Sequence, residues 1–225
     1  MTPAAIWTDW GEYLPTLLEG LLESLELCAA SLAVGLPLAL ALALASAAPL
    51  RIVHWGALLL VEAGRALPAV ILLQLAYYGL PSIELVLTNF VAGTAALGWI
   101  TAAYGSEIFR GGIASVPEGQ REAALALGVG RFDMYRSVIV PQGTRVALPA
   151  LLGLAIQIFQ ATALAFTIGL PELMSAAYDL GNQTFRFLSV LTLAGLLYTA
   201  VVIPASFIVR RLELRMGRHL AAELR

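Results

Sequence analysis

Apolar runs of about twenty residues recur along this chain, and this recurrence constrains its fold more than any other feature of the sequence. An α-helix rises ~1.5 Å per residue, so a run of ~20 residues can cross the ~30 Å hydrocarbon core of a bilayer. Of the 225 residues, 60% are hydrophobic and only 12% are charged, whereas soluble domains are about one-quarter charged. The sequence therefore predicts one all-α polytopic membrane domain over residues 1–225.

Five transmembrane helices are predicted from these runs and from the residues that interrupt them. Pro49, Pro81, Pro117 and Pro171 fall between apolar runs, where proline favours a turn or the end of a helix. A long polar connection, residues 111–143, separates the third span from the fourth. The predicted spans are residues 20–47, 56–80, 88–109, 144–168 and 187–209.

The positions of the arginines predict the orientation of the chain. All 13 basic residues are arginine, and with five spans all of them except Arg186 fall on one side. Basic residues concentrate in the cytoplasmic connections of membrane proteins. We therefore expect the amino terminus to lie outside and the carboxyl terminus to lie in the cytoplasm. Residues 111–143 are then a cytoplasmic loop.

Several function classes lack the residues that they need. A Walker A phosphate loop requires a lysine, and this chain has none. Cys28, His54 and His219 are too far apart in sequence to predict a zinc cluster. No histidine lies in a predicted span, and the serines have no evident activating base. We therefore predict that the chain is not an enzyme and has no catalytic residue, metal or cofactor of its own.

Residues 118–142, "EGQREAALALGVGRFDMYRSVIVPQ", form a charged and glycine-punctuated segment within the loop. Ser115 and Glu118 have the spacing of a capping box, and Gly128 suits a helix stop, so a short helix is predicted. A second short helix is predicted to end at Pro141. The alanines and leucines of the first helix give it an apolar side. This side either folds back on the spans or is covered by another protein, and periodicity leaves both open.

The spacing within this segment resembles that of a known family. "EAALALG" is followed after nine residues by "VIVP", which is similar to the EAA-x3-G-x9-I-x-L-P signature of ABC-importer permeases, with Val138 at the isoleucine and Val140 at the leucine. "YYGLP", "IGLPEL" and "RRLE" are similar to the permeases for polar amino acids and opines, of the histidine, glutamine and arginine type. The resemblance covers residues from about 20 to 215.

The resemblance implies a fold and a function. The fold is that of an ABC-importer permease with five transmembrane helices, and the function is the permease subunit of an ATP-driven importer for polar amino acids or related zwitterions. In this family the EAA segment is the coupling helix that docks on the ATPase. The sequence departs from the family's usual residues in the region that lines the transport path, where Gln160 and Ala161 stand in place of lysine and aspartate, so the resemblance specifies the transport class and not the substrate. The residues implied in coupling are Glu118, Gly119, Arg121, Glu122, Ala123, Ala124, Leu127 and Gly128.

The resemblance also implies the partners and the location of the chain. The expected partners are a cytoplasmic ATPase dimer, a second permease subunit that is identical or paralogous, an extracytoplasmic solute-binding protein and membrane lipid, with no nucleic acid. ATP and Mg²⁺ are expected on the ATPase and not on this chain. The expected location is the bacterial inner membrane, where paired permeases alternate between outward-open and inward-open states.

Polar side chains within the spans have two interpretations. One interpretation is hydrogen bonding between helices, which we favour for any single residue, and the other is the lining of a solute path near the middle of the membrane. For Gln157 with Gln160 the two interpretations remain level. The candidate residues of the path are Gln157, Gln160, Thr162, Thr101, Tyr104, Gln74 and Tyr77.

Two pairs of opposite charge have the spacing of local helical ion pairs. Glu107 and Arg110 lie at the cytoplasmic end of the predicted third span, where the resemblance also implies that they anchor the loop toward the ATPase. Glu62 and Arg65 are assigned a structural role at the cytoplasmic end of the predicted second span.

The alternative function is a stand-alone secondary transporter or channel for a small polar solute. It explains the spans and the buried polar groups, but it leaves the EAA-type segment without a partner. The spans also lack a charge placed at mid-depth for a proton relay. Genomic context or co-purification would decide between the two functions.

Overall fold

The computed structural model describes residues 9–223, and this part of the chain is helical and has no strand. The prediction of an all-α fold is therefore confirmed for the described residues. Arg225 lies outside them, and the side chains of Arg215 and Arg218 are not described. The helices are α1 (Trp10–Ser46), α2 (Arg51–Ala66), α3 (Ala69–Gln74), α4 (Asn89–Ala114), α5 (Glu118–Ala126), α6 (Arg131–Met134), α7 (Val140–Ala161), α8 (Leu173–Thr184) and α9 (Phe187–Glu223).

The prediction of one continuous second span over residues 56–80 is wrong. The chain bends by 105° between Arg51–Ala66 and Ala69–Ile83, where α3 is extended by a π-helical turn and a 3₁₀ turn. Leu67 is extended (φ −88°, ψ 134°) because the residue before a proline avoids the helical region, and Pro68 offers no N–H to continue α2. The break follows from the "ALP" sequence at residues 66–68, and apolar composition alone does not predict a break there.

Glycine and alanine allow α4 to approach its neighbours closely at three places. A Cβ added at Gly35 of α1 would lie 2.6 Å from the carbonyl oxygen of Gly98 and would overlap Thr101. A Cβ at Gly64 of α2 would lie 2.7 Å from the Cβ of Ala103, and one at Gly143 of α7 would lie 2.8 Å from the Cα of Ile113. Small residues at such crossings bring helix backbones together, which is a principal source of helix association in membranes. Helix α4 is thus the centre of the fold.

Length and apolar composition identify three spans among the described residues, Trp10–Ser46, Arg131–Ile168 and Phe187–Leu214, and a fourth if the bent pair counts as one. The count of five is therefore approximate. Helix α4 is long enough to cross a bilayer, at 26 residues, but its composition is less apolar than that of the three spans. Other helices cover it, so it can carry polar residues such as Thr101 and Ser106, which are buried and bonded to carbonyls of their own helix.

The prediction that a second loop helix ends at Pro141 is also wrong. Helix α6 continues through a π-helical turn, Tyr135–Ile139, into α7, and Pro141 lies in the first turn of α7. Proline is tolerated there because the first N–H groups of a helix have no partner within the helix. The span is therefore one long helical segment that begins at Arg131 and ends at Ile168.

Helix α8 (Leu173–Thr184) was not predicted, because it is too short and too mixed in composition to be read as a span. It follows the left-handed Gly169 (φ 73°) and packs against the first turns of α1 and the start of α9. Tyr13 and Leu17 of α1 are buried there against Leu173 of α8 and Val190 of α9. This contact explains why α1 begins at Trp10, well before the predicted start at residue 20.

We expect Gly35→Ala to lower the melting temperature of the purified protein in detergent, because the added Cβ must push α1 away from α4. Overpacking of this kind costs about 1–3 kcal/mol. The matched control is Gly153→Ala in α7, where no atom lies within 4 Å of the added Cβ and replacing a helical glycine removes its conformational freedom in the unfolded chain. Equal melting temperatures for the two variants would contradict the close α1–α4 contact.

Candidate functional site

The break between α2 and α3 opens a small cavity near the middle of α4. Its volume is about 290 Å³, and it is lined by Gly64, Arg65, Ala66, Leu67, Pro68, Ala69, Ile100 and Tyr104. Tyr104 lies near the midpoint of α4, and Trp99, one turn earlier, donates a hydrogen bond from Nε1 to the carbonyl of Leu60 (3.1 Å). Because Trp99 and Tyr104 lie in the middle part of α4, these contacts place the break beside the middle of that helix, although Arg65, Ala66, Leu67 and Pro68 are themselves exposed.

Arg65 supplies the positive charge of this cavity. Its guanidinium lies 3.1 Å from the Glu62 carboxylate and 5.8 Å from the centre of the Tyr104 ring. It also lies in the last turn of α2, where the helix dipole favours a cation. The expectation that Arg65 lies at the end of a continuous second span is therefore wrong, because the helix breaks directly after it. The absence of a charge at mid-depth for a proton relay stays a prediction. An arginine beside a break in a helix can bind an anionic group of a solute.

Two of the predicted path residues are buried and bonded within their own helices. Thr101 donates a hydrogen bond to the Leu97 carbonyl (2.8 Å), and Thr162 donates one to the Phe159 carbonyl (2.7 Å). Both are fully buried. Their hydroxyls thus bond to carbonyls of their own helical segments and not across to a neighbouring helix, which is the bond that the structural interpretation expects.

The other predicted path residues lie at or near the surface of the subunit. Gln74, Gln157, Gln160 and Tyr104 are exposed, whereas Tyr77 is half-buried and packs edge-on against Tyr78. The structure thus does not gather the seven residues into one cavity, and Tyr104 alone lines the cavity at the break. An amide on the lipid side of a span is costly, so exposed glutamines indicate a water-filled path or another protein beside α7.

Helix α5 is a projection with two different sides. Ala124 is buried against Ile113, Met134 and Ile139, so one side folds back on the chain that carries it. Leu125 and Leu127 are 53% and 82% exposed. The alternative that the helix folds back on its own chain is thus confirmed for the side that carries Ala124, whereas coverage of the other side by another protein stays a prediction. Of the residues implied in coupling, Glu118, Gly119, Glu122, Ala123, Leu127 and Gly128 are exposed, Arg121 is half-buried and Ala124 is buried.

The ends of α5 differ in part from the predicted caps. Ser115 does not form a capping box, because its hydroxyl donates to the Gly112 carbonyl of α4 (2.7 Å), and Pro117 holds the position before the helix. Gly128 ends the helix as predicted, with φ 75°, a left-handed conformation that glycine adopts without strain. Arg121 donates a hydrogen bond to the Ile113 carbonyl (3.4 Å), which attaches α5 to the end of α4.

Glu107 and Arg110 lie within ion-pair distance near the end of α4, with a hydrogen bond of 3.2 Å from Arg110 Nε to Glu107 Oε1. The Arg110 side chain is largely exposed, and exposed helical pairs contribute little to stability.

Sequence reasoning missed Glu172, which organises the opposite end of the fold. Its carboxylate is fully buried and caps α8 by accepting hydrogen bonds from the N–H groups of Met174 and Ser175 (2.9 Å each). It also accepts hydrogen bonds from the hydroxyls of Ser24 in α1 and Tyr198 in α9 (3.2 Å each). One carboxylate therefore joins three helices. The sequence feature that could have revealed Glu172 is the "GLPEL" stretch, in which an acidic residue follows proline and precedes a short apolar segment.

Burial raises the pKa of the Glu172 carboxyl from an ordinary value of 4.5 to about 7, although its four hydrogen bonds lower it in part. Desolvation disfavours the charged form of a carboxyl group, and here this effect exceeds that of the donors. Glu172 follows the end of the span at Ile168 and lies outside the apolar segments.

Comparison with known proteins gives consistent relatives over nearly the whole chain. The family model for "Binding-protein-dependent transport system inner membrane component" matches residues 35–218. The arginine transport system permease protein ArtQ of Bacillus subtilis (strain 168) is 34% identical over 204 residues, which cover 90% of this chain and 93% of that protein. The octopine transport system permease protein OccM of Rhizobium radiobacter is 35% identical over 219 residues, 93% of this chain and 86% of that protein. The crystal structure of an amino acid ABC transporter with histidines matches with a TM-score of 0.86 at 29% identity, covering 93% of this chain and 98% of that one.

We expect the stability of the protein to fall as the pH rises from about 4.5 to about 7, in part because of Glu172. Its carboxyl group binds a proton more tightly in the folded state, so the folded state loses this advantage as the pH passes the raised pKa. Glu172→Gln should make the melting temperature less dependent on pH over this window, whatever its absolute value. The control is Glu19→Gln, which changes an exposed carboxylate of α1. The same pH dependence in Glu172→Gln and the parent would exclude this role for Glu172.

Proposed function

The chain belongs to the family of binding-protein-dependent transport system inner membrane components, and on that premise we propose that it forms the membrane path of an ATP-driven importer for polar amino acids or related zwitterions. It is a transport component of the inner membrane. The relatives named for arginine and octopine, and the solved transporter with histidines, support a polar amino acid or a close derivative as the solute. A stand-alone transporter or channel has no support among these relatives.

The coupling function rests on one observation, the exposed apolar side of α5. Leu125 and Leu127 project from a short helix outside the apolar spans while Ala124 anchors the same helix to the fold. Exposed apolar surface outside the bilayer, where lipid does not cover it, is typical of a protein interface. We assign it to a separate ATPase dimer that binds ATP and Mg²⁺, while this chain holds neither.

This assignment also sets the orientation and the other partners. With α5 on the ATPase side, the arginine-rich side is cytoplasmic and the first turns of α1 lie outside, in agreement with the distribution of basic residues. The external end, where Glu172 joins α1, α8 and α9, is then the side at which a solute-binding protein delivers its ligand. A second permease subunit, identical or paralogous, completes the path.

The solute path is proposed to pass the break between α2 and α3. Discontinuous helices near the bilayer midplane are common at the binding sites of secondary transporters, where alternating access occurs around them. Arg65 offers the α-carboxylate of an amino acid a charged partner, and Tyr104 lines the same cavity. The exposed amides of Gln157 and Gln160 remain predicted contributors, facing the path at the junction with the second permease subunit.

Leu127→Glu should uncouple the complex without affecting the fold of the permease. The side chain is 82% exposed, so the substitution costs little in the isolated subunit, whereas an unpaired carboxylate buried in an interface costs several kcal/mol. Solute-stimulated ATP hydrolysis in proteoliposomes should fall by about tenfold or more. Leu127 is preferred to Gly128 as the target because any side chain at Gly128 is strained by its positive φ.

The matched control for this test is Val86→Glu, which introduces the same charge at an apolar residue that is 77% exposed in the connection before α4. This variant should hydrolyse ATP like the parent. If Leu127→Glu also couples normally, α5 is not the docking helix.

Arg65→Gln should weaken solute binding to the assembled complex. Loss of a hydrogen bond to a charged group costs about 1.5–3 kcal/mol, so the dissociation constant for arginine as a probe should rise roughly ten- to a hundredfold. Calorimetry on the purified complex without the binding protein measures this constant directly. Glu62→Gln is the control, because it breaks the same ion pair but keeps the guanidinium. If both variants bind arginine alike, Arg65 only balances Glu62.

A further inference from the structure

A second cavity lies at the arginine-rich end of the fold, between the last turn of α1 and the start of the long helical segment Arg131–Ile168. Its volume is about 710 Å³, more than twice that of the cavity at the helix break. Leu44, Ala48 and Val140 form apolar walls. The mechanism proposed above uses neither this cavity nor the side chains that give it charge.

Two arginines give this cavity its charge. Arg131 and Arg136 both line it, and within residues 9–223 neither guanidinium has a carboxylate at ion-pair distance. Asp133, the acidic residue between them in sequence, is exposed and lies near Gly130. Two unpaired guanidinium groups at one cavity favour an anionic group, and the planar fork of arginine suits phosphate oxygens in particular.

The ends of two candidate spans lie beside this cavity. Helix α1 ends at Ser46, and the candidate span Arg131–Ile168 begins next to it. We infer from these two ends that the cavity lies at the level of the bilayer headgroups. Phe132 and Tyr135 also line the cavity, and tyrosine is enriched at the membrane–water interface because its ring is apolar and its hydroxyl is wet. The occupant must therefore carry an anionic group at this level and an apolar portion toward the bilayer.

We propose that this cavity binds an anionic phospholipid, with its phosphate at Arg131 and Arg136 and an acyl chain along Leu44 and Val140. Basic pockets between membrane helices on the cytoplasmic side are suited to such headgroups. A soluble ATPase is the other conceivable occupant, but it meets residues that project beyond the spans, such as Leu127 of α5. A free phosphate ion would leave the apolar walls unused.

The test is lipid binding to the complete complex with its ATPase, measured by native mass spectrometry after exchange into detergent with defined lipids. The parent complex should bind phosphatidylglycerol more tightly than phosphatidylethanolamine. Arg131→Gln combined with Arg136→Gln should weaken phosphatidylglycerol binding by roughly 30-fold. The matched control is Arg51→Gln, which removes an exposed arginine at the start of α2 on the same side, outside the cavity. This control should bind phosphatidylglycerol like the parent.

Four outcomes would overturn the proposal. The parent, which needs no substitution and therefore carries no risk of misfolding, shows no preference for phosphatidylglycerol. The double variant binds this lipid with unchanged affinity. The double variant keeps the lipid but loses the ATPase subunit, which makes the cavity a protein-docking surface. Inorganic phosphate at the same concentration displaces the lipid completely, which makes the cavity a site for free anions.

Discussion

The close contact of α4 with the helices around it is the constraint on which the rest of the structure depends. In a bilayer the hydrophobic effect does not drive helices together, because lipid tails are as apolar as the side chains. Association then relies on van der Waals contact, and this requires backbones to come near. Gly35, Gly64 and Gly143 allow that approach from α1, α2 and α7 in turn. Without these three contacts, α4 would expose a polar surface to lipid.

The break in the second span depends on this arrangement. An interrupted helix leaves backbone groups without partners, which a bilayer tolerates only where protein or a water-filled cavity surrounds them. Leu67 and Pro68 line the same cavity as Ile100 and Tyr104 of α4 but remain exposed, so a water-filled path or another subunit beside the break would meet that condition. Arg65 lies on the same surface, with its side chain 37% exposed between Glu62 and the Tyr104 ring, so this arginine also requires water or another protein beside it.

The sequence predicts what depends on local pattern and misses what depends on tertiary contact. Apolar runs predicted the long helices, and Gly128 ended α5 as its left-handed conformation requires. The capping box failed because the Ser115 hydroxyl found an acceptor in the last turn of α4. Glu172 was missed because its donors, Ser24 and Tyr198, lie far from it in sequence. The cavity at the break could have been inferred from Pro68, but its charge depends on how α2 packs on α4.

Helix α4 also connects, through packed side chains, the proposed coupling surface on α5 with the cavity at the break between α2 and α3. At one end, Ile113 lies under Ala124 of α5, and Arg121 hydrogen-bonds its carbonyl. Ten residues earlier, Ala103 packs against Gly64 beside the break. Helix α4 has 26 residues and is closely packed against three neighbouring helices, which makes it stiff. If the proposed ATPase displaced α5, the displacement would therefore reach the wall of the cavity and would not be absorbed within α4. At the break, Leu67 is extended and makes no helical cap hydrogen bond, so a change of the 105° angle between α2 and α3 would break no bond at that residue. A closely packed α4 beside an interrupted second span is an arrangement that would carry movement from the proposed coupling helix to the proposed path.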